Sequence, residues 1–75
     1  NRTYQDAKSK FQEKAQDEEG VTPKYKTISE EGPDHARTFV VGVFIGDTEV
    51  ATGEGKSKQE AEQAAAKAGI DKKGW

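Results

Sequence analysis

The sequence predicts an α+β domain, an α-β-β-β-α two-layer sandwich in which a three-stranded antiparallel sheet carries both helices on one face. Apolar residues follow a helical period at both ends of the chain and a β-branched, alternating pattern between them. Each helix has one apolar stripe, so both can cover the same sheet face. The chain has 75 residues, 31% hydrophobic and 35% charged, which suits one small domain with a thin core.

The first helix is predicted at about residues 3–17. Its apolar stripe recurs at helical spacing and consists of Tyr4, Ala7, Phe11 and Ala15. Thr3 followed by Asp6 fits an N-terminal capping pattern, and Gly20 follows the predicted end.

The three strands are predicted at about residues 25–30, 38–45 and 48–54. The second strand, TFVVGVFI, is the most apolar run, and Gly46-Asp47 links it to the third as a hairpin. Alternation places Phe39, Val41 and Val43 on one face and Val40, Gly42 and Phe44 on the other. Turn residues predict a loop at Gly32-Pro33-Asp34-His35.

The second helix is predicted at about residues 57–69. Ser57 is a good N-cap, and Glu60 three residues later completes a capping box. Gly69 is the expected stop. An alanine stripe, which lets the helix lie close to the sheet, consists of Ala61, Ala64, Ala65 and Ala68.

Composition excludes several functional classes. There is no cysteine, no apolar run of membrane-spanning length, and no methionine even at position 1, which indicates an excised domain or a processed fragment. No nucleophile, metal-ligand or phosphate-loop motif is present, and His35 stands alone, so we expect no catalytic residue, no metal site and no enzyme activity in this chain. The net charge is −2, and its acidic clusters (17–19 and 30–31) should face away from any nucleic acid.

A polar strip is predicted on the first helix. At 100° per residue its members fall within about 60° of one another, on a face well away from the apolar stripe, and Glu13 borders the strip. The members are Gln5, Ser9, Gln12 and Gln16. Amides and a hydroxyl donate and accept hydrogen bonds, which suits ribose hydroxyls and base edges in the shallow minor groove of duplex RNA. The alternative interpretation is an ordinary solvated helix face.

The start of the second helix is a candidate phosphate site. Lys56 and Lys58 flank Ser57 where free backbone N–H groups and the helix dipole favour an anion. Surface lysines are common, so this pattern alone is also compatible with a solvated helix end. His35 is either incidental or able to reach a groove if its loop projects.

Three segments together resemble the double-stranded RNA-binding domain family. They are DAKSKFQEKAQ (6–16), TPKY with SEEGPDHARTFVVGV (22–25 and 29–43), and ATGEGKSKQEAEQAAA (51–66). The GPDH loop and the last segment are most like the C-terminal domain of bacterial ribonuclease III. The resemblance implies binding to double-stranded RNA by its A-form shape, over roughly 16 base pairs.

The resemblance also implies roles for particular residues. The first helix would enter one minor groove through Ser9, Gln12, Glu13 and Gln16. The loop would enter the next minor groove through His35 and the backbone at Pro33 and Asp34. Phosphates across the intervening major groove would be met by Lys56, Ser57 and Lys58.

In the family, cleavage belongs to a separate magnesium-dependent, dimerising nuclease domain. The resemblance therefore implies a cytoplasmic parent nuclease, and a fragment that is itself monomeric and non-catalytic. Gln59 and Glu62 depart from basic residues common in the family, which weakens the expected phosphate contacts, and Ile70 and Trp75 are expected in a frayed or altered tail. A protein-binding module of the same fold is the alternative function.

Overall fold

The computed structural model describes residues 6–75, and it has the predicted α-β-β-β-α order. The elements are α1 (Ala7–Glu19), β1 (Lys24–Glu31), β2 (Thr38–Ile45), β3 (Thr48–Gly55) and α2 (Lys58–Lys73), with a short 3₁₀ turn at Asp34–Ala36. The strands form one antiparallel sheet in the order β1-β2-β3. The predicted fold class is confirmed.

α1 begins later than predicted. Asp6 has extended backbone angles and is the N-cap, and its carboxylate accepts a hydrogen bond from the Lys8 N–H at 3.1 Å. The helix therefore begins at Ala7 rather than at residue 3. It ends at Glu19, two residues past the predicted end, and Gly20 follows as the C-cap in the left-handed conformation. Thr3, Tyr4 and Gln5 lie outside the described residues.

The core lies between the helices and the inner sheet face. Its buried members are Phe11, Ala15, Val41, Val43, Ile45, Val50, Ala61, Ala65 and Ala66. Val41 and Val43 are buried as the alternation predicted, whereas Phe39 on the same strand is half-buried. On α2 the fully buried positions are 61, 65, 66 and 69, so the predicted alanine stripe is rotated: Ala64 and Ala68 are half-buried at its edge.

Gly69 does not end α2. A Cβ there would lie 2.8 Å from a ring carbon of Phe11, so the absence of a side chain at Gly69 lets α1 pack closely on α2. The helix continues to Lys73 and ends at Gly74, whose φ of +74° is the left-handed conformation that glycine favours.

The last residues are packed rather than frayed. The Trp75 N–H donates to the Ile70 carbonyl at 2.9 Å, and the Trp75 ring lies 5.3 Å from the Phe11 ring, centroid to centroid. Ile70 and Trp75 both pack against the core. The expectation of a frayed tail is therefore wrong, because Gly74 turns the chain back onto Phe11.

Candidate nucleic-acid interface

The predicted polar strip lies exposed on α1. Ser9, Gln12, Glu13 and Gln16 are all exposed, while Phe11 and Ala15 on the opposite face are fully buried. Spacings of three, four and seven residues from Ser9 place the strip on one face of the helix.

Two residues of the strip already have partners within the chain. The Ser9 hydroxyl donates to the Asp6 carboxylate at 3.3 Å, and the Gln16 amide donates to the Thr22 hydroxyl at 3.1 Å. Within residues 6–75, Gln12 and Glu13 make no side-chain hydrogen bond. These two side chains can therefore meet a ligand without first giving up a contact.

The loop between β1 and β2 is exposed and turns tightly. Gly32 has a φ of +97°, and a Cβ there would lie 2.6 Å from the Ala36 carbonyl oxygen, so the tight turn requires glycine. Pro33, Asp34 and His35 follow it and are all exposed.

Arg37 braces this loop. Its guanidinium donates to Glu30 at 3.0 Å and to Asp34 at 2.6 Å, which ties the end of β1 to the 3₁₀ turn that carries His35. The sequence analysis missed this residue. The pairing of Arg37 with Asp34 spans three residues, so it could have been predicted from local spacing. The pairing with Glu30 crosses the loop between β1 and β2, and no local spacing predicts it.

The start of α2 is capped from both sides. The Ser57 hydroxyl accepts from the Glu60 N–H at 3.1 Å, as predicted. The Glu60 carboxylate accepts from the Lys56 N–H at 3.0 Å, so the second half of the capping box falls one residue before the N-cap. Lys56, Ser57 and Lys58 are exposed, and the first N–H groups of the helix have no intrahelical acceptor.

The structure brings the three predicted contact segments next to one another. His35 and Lys56 line one hollow of about 240 Å³, so the loop meets the start of α2. Ser57 shares a second hollow with Asp6 and Lys8, so the start of α2 meets the start of α1. The Asp6 carboxylate accepts a hydrogen bond from the hydroxyl of Ser9, the first strip residue that the structure describes. Loop, helix start and strip are thus continuous.

An ion pair joins the helices beside this surface. The Lys8 ammonium lies 2.6 Å from the Glu62 carboxylate, and the Lys8 N–H also donates to the Gln63 side chain at 3.3 Å. Glu62, expected from the sequence to repel phosphate, is therefore matched by a cation. Gln59 is exposed on the same turn, without a charge.

Two pKa values beside this pair are shifted, that of Asp6 by hydrogen bonding and that of Tyr25 by burial. The hydrogen bond from Gln63 lowers the pKa of Asp6, against the effect of desolvation. Burial, followed by the charges of Glu62 and Asp6, raises the pKa of Tyr25 to about 12. The Tyr25 hydroxyl is buried and has no partner in the described part of the chain. Tyr25 is therefore neutral at physiological pH, and the Lys8 ammonium lies over its uncharged ring.

Neither a metal site nor a membrane span is found among residues 6–75. Their histidine and carboxylate side chains form no group of three or more that could hold a metal ion. Neither α1 nor α2 combines the length and the hydropathy that crossing a membrane requires.

Fold and site together define a small α+β domain with a polar, lysine-bordered contact surface made of a helix face, an exposed loop and a helix start. The family model of the double-stranded RNA binding motif matches residues 7–73. The chain belongs to this family.

The chain is also similar in sequence to one part of several larger proteins. The chain is 55% identical over 65 residues to Ribonuclease 3 of Syntrophomonas wolfei, covering 84% of this chain and 27% of that protein. Against Ribonuclease 3 of Caldanaerobacter subterraneus it is 46% identical over 71 residues, covering 95% of this chain and 31% of that protein. It therefore spans less than a third of these relatives.

Solved structures share the fold. Dicer from Pichia stipitis superposes with a TM-score of 0.70 at 25% identity, covering 87% of this chain and 31% of Dicer. A solution structure of both double-stranded RNA-binding domains of DRB4 gives a TM-score of 0.64 at 38% identity, covering 85% of this chain and 41% of that one.

Proposed function

We propose that this chain binds double-stranded RNA by its A-form shape. The strip on α1, led by Gln12 and Glu13, meets ribose hydroxyls and base edges in one minor groove. The loop carrying His35 meets the next minor groove, and Lys56 and Lys58 meet phosphates between them. The observation that carries the proposal is the continuity of loop, helix start and strip, which the hollows around Lys56 and Ser57 join.

The charge distribution supports this orientation despite the net charge of −2. Asp17, Glu18 and Glu19 lie at the C-terminal end of α1, away from the Asp6 end that meets the start of α2. Glu19 is also paired with Lys73 at 2.6 Å. Local positive charge at Lys56 and Lys58 is what a phosphate requires, whatever the sum over the chain.

The larger proposal concerns the parent protein. We infer that the chain is the substrate-binding domain of a cytoplasmic, ribonuclease III-type endoribonuclease, which acts in RNA processing, including that of ribosomal RNA. The identity to two Ribonuclease 3 proteins supports this inference. Cleavage, magnesium and dimerisation would belong to a separate nuclease domain, and the present chain would be monomeric, non-catalytic and independent of any cofactor for binding.

The test is a titration of the domain with a labelled duplex of about 20 base pairs, longer than the roughly 16 base pairs such a domain spans. The matched ligand is duplex DNA of the same sequence. We expect clearly tighter binding to RNA, because only RNA presents the 2′-hydroxyl and the A-form minor groove. Equal affinity for the two duplexes would refute the groove model.

A protein-binding function is the second candidate, and the outer sheet face favours it. Ile28 is 49% exposed at a bulge of β1, and it lies over Gly42 beside Phe44. A single apolar side chain of this kind is common on surfaces. If duplex RNA does not bind at low salt while a protein partner co-purifies and Ile28→Lys releases it, this function replaces the first.

A further inference from the structure

The Lys8–Glu62 pair is held from several sides. Its side chains are only 35% and 26% exposed, and the ammonium also lies 5.4 Å from the centre of the Tyr25 ring. Gln63, next to Glu62, bonds both the Lys8 N–H and the Asp6 carboxylate. A half-buried, braced pair is screened by salt less than an exposed one.

The pair lies beside the proposed phosphate site. Lys8 lines the hollow that also contains Ser57 and Gln59. Glu62 follows Lys58 by four residues on α2, so the two lie on neighbouring turns of one helix face. An unpaired Lys8 ammonium would therefore add a cation beside Ser57 at the start of α2, the segment that also carries Lys56 and Lys58.

We propose that Glu62 limits the affinity for duplex RNA by holding Lys8 in this ion pair, so that Lys8 makes no phosphate contact in the native domain. Glu62 is thus a positioning residue that acts through Lys8. This inference rests on the proposed function. Each phosphate neutralised by a lysine steepens the dependence of log affinity on log salt by about 0.9, so the loss of one contact is measurable.

A double-mutant cycle tests this with the wild type, Glu62→Gln, Lys8→Met and the double variant, each titrated with duplex RNA between 50 and 200 mM salt. Glu62→Gln keeps the size of the side chain and removes its charge. We expect tighter binding at low salt and a slope steeper by about 0.9, so that the gain over the wild type shrinks about 3.5-fold across this fourfold salt range. Lys8→Met should leave the slope unchanged, and the double variant should return to the wild-type slope.

The outcomes separate the two proposals. If the wild type binds no duplex RNA, the proposed function fails and this inference fails with it. If the wild type binds but Lys8→Met lowers the slope by about one, Lys8 already contacts phosphate and only this inference is overturned. An unchanged slope in Glu62→Gln overturns it equally. Thermal unfolding of each variant checks folding, and a structural effect alone would change affinity without this ordered change in slope.

Discussion

Gly53 is a point at which the backbones of β3 and α2 are in direct contact. A Cβ at this buried position would lie 2.1 Å from the Ala65 amide nitrogen and 2.4 Å from the Ala64 carbonyl carbon. Ordinary contact begins at about 3.4 Å, and helix backbone atoms cannot move aside one at a time. In Gly53→Ala, α2 must therefore retreat from the sheet as a unit.

The cost can be bounded. Overpacking a tight core costs about 1–3 kcal/mol and occasionally more, whereas replacing glycine by alanine without strain gains about 0.4–1 kcal/mol from the unfolded chain. Because the clash is with backbone, we expect a net loss of about 2 kcal/mol or more. For a domain of this size that lowers the melting temperature by roughly 8–16 °C.

Gly42→Ala is the matched control, the same change on the neighbouring strand β2. Its Cβ would meet the Ile28 Cδ1 at 2.8 Å, the Phe44 Cε1 at 3.1 Å and the Glu49 carboxylate at 3.2 Å, which belong to side chains that can turn on the outer sheet face. We expect a change within about 1 kcal/mol. Thermal and urea unfolding followed by circular dichroism measure both variants. Equal losses in the two, or a wild-type melting temperature for Gly53→Ala, would refute the reasoning.

Four further predictions concern binding and stability. Lys58→Ala should weaken duplex RNA binding and reduce its log–log salt slope by about one, while Lys24→Ala, at the far end of β1, should not change the slope. Gln12→Ala should weaken binding with little change in slope, and a lower slope would show that Gln12 contacts phosphate. Trp75→Ala should destabilise the domain by about 2 kcal/mol, because the substitution removes a half-buried indole ring that packs on the core. An unchanged urea midpoint would contradict this. Because Gln63 lowers the pKa of Asp6 below 3.8, the stability that Asp6 confers is complete above about pH 4 and lost as the pH falls through the folded-state pKa. Asp6→Asn should flatten that acid loss below about pH 4, and an unchanged pH profile would exclude this contribution.

The strands were predictable to within one residue because their signals are local. β-branched residues and turn glycines specify TFVVGVFI and its hairpin, which match β2 at Thr38–Ile45. The end of α2 was not predictable in the same way. Gly69 and Gly74 are both glycines that follow a run of helix-forming residues, so local sequence does not show which one ends the helix. The difference is a long-range contact: the ring of Phe11, 58 residues before Gly69, fills the space that a Cβ at Gly69 would occupy.

The same distinction between local and long-range signals applies to the candidate site. Periodicity along α1 was enough to place Ser9, Gln12 and Gln16 on one exposed face. The Lys8–Glu62 pair joins residues 54 positions apart, and no local pattern indicates it. From the sequence Glu62 could only be counted as an unfavourable charge, whereas its effect depends on which cation it holds.

These long-range contacts decide how the two helices present the interface. α1 packs mainly against α2, through Phe11 on Gly69 in the middle, the Asp6–Gln63 contact at one end and the Glu19–Lys73 pair at the other. The strip proposed to face a groove and the proposed phosphate site lie on different helices, so these contacts set the spacing between them. Trp75 packs on Phe11 at the same junction, although it does not belong to the interface. Substitutions at this junction should therefore change RNA affinity through the spacing of the two sites, even where every RNA-contacting side chain remains.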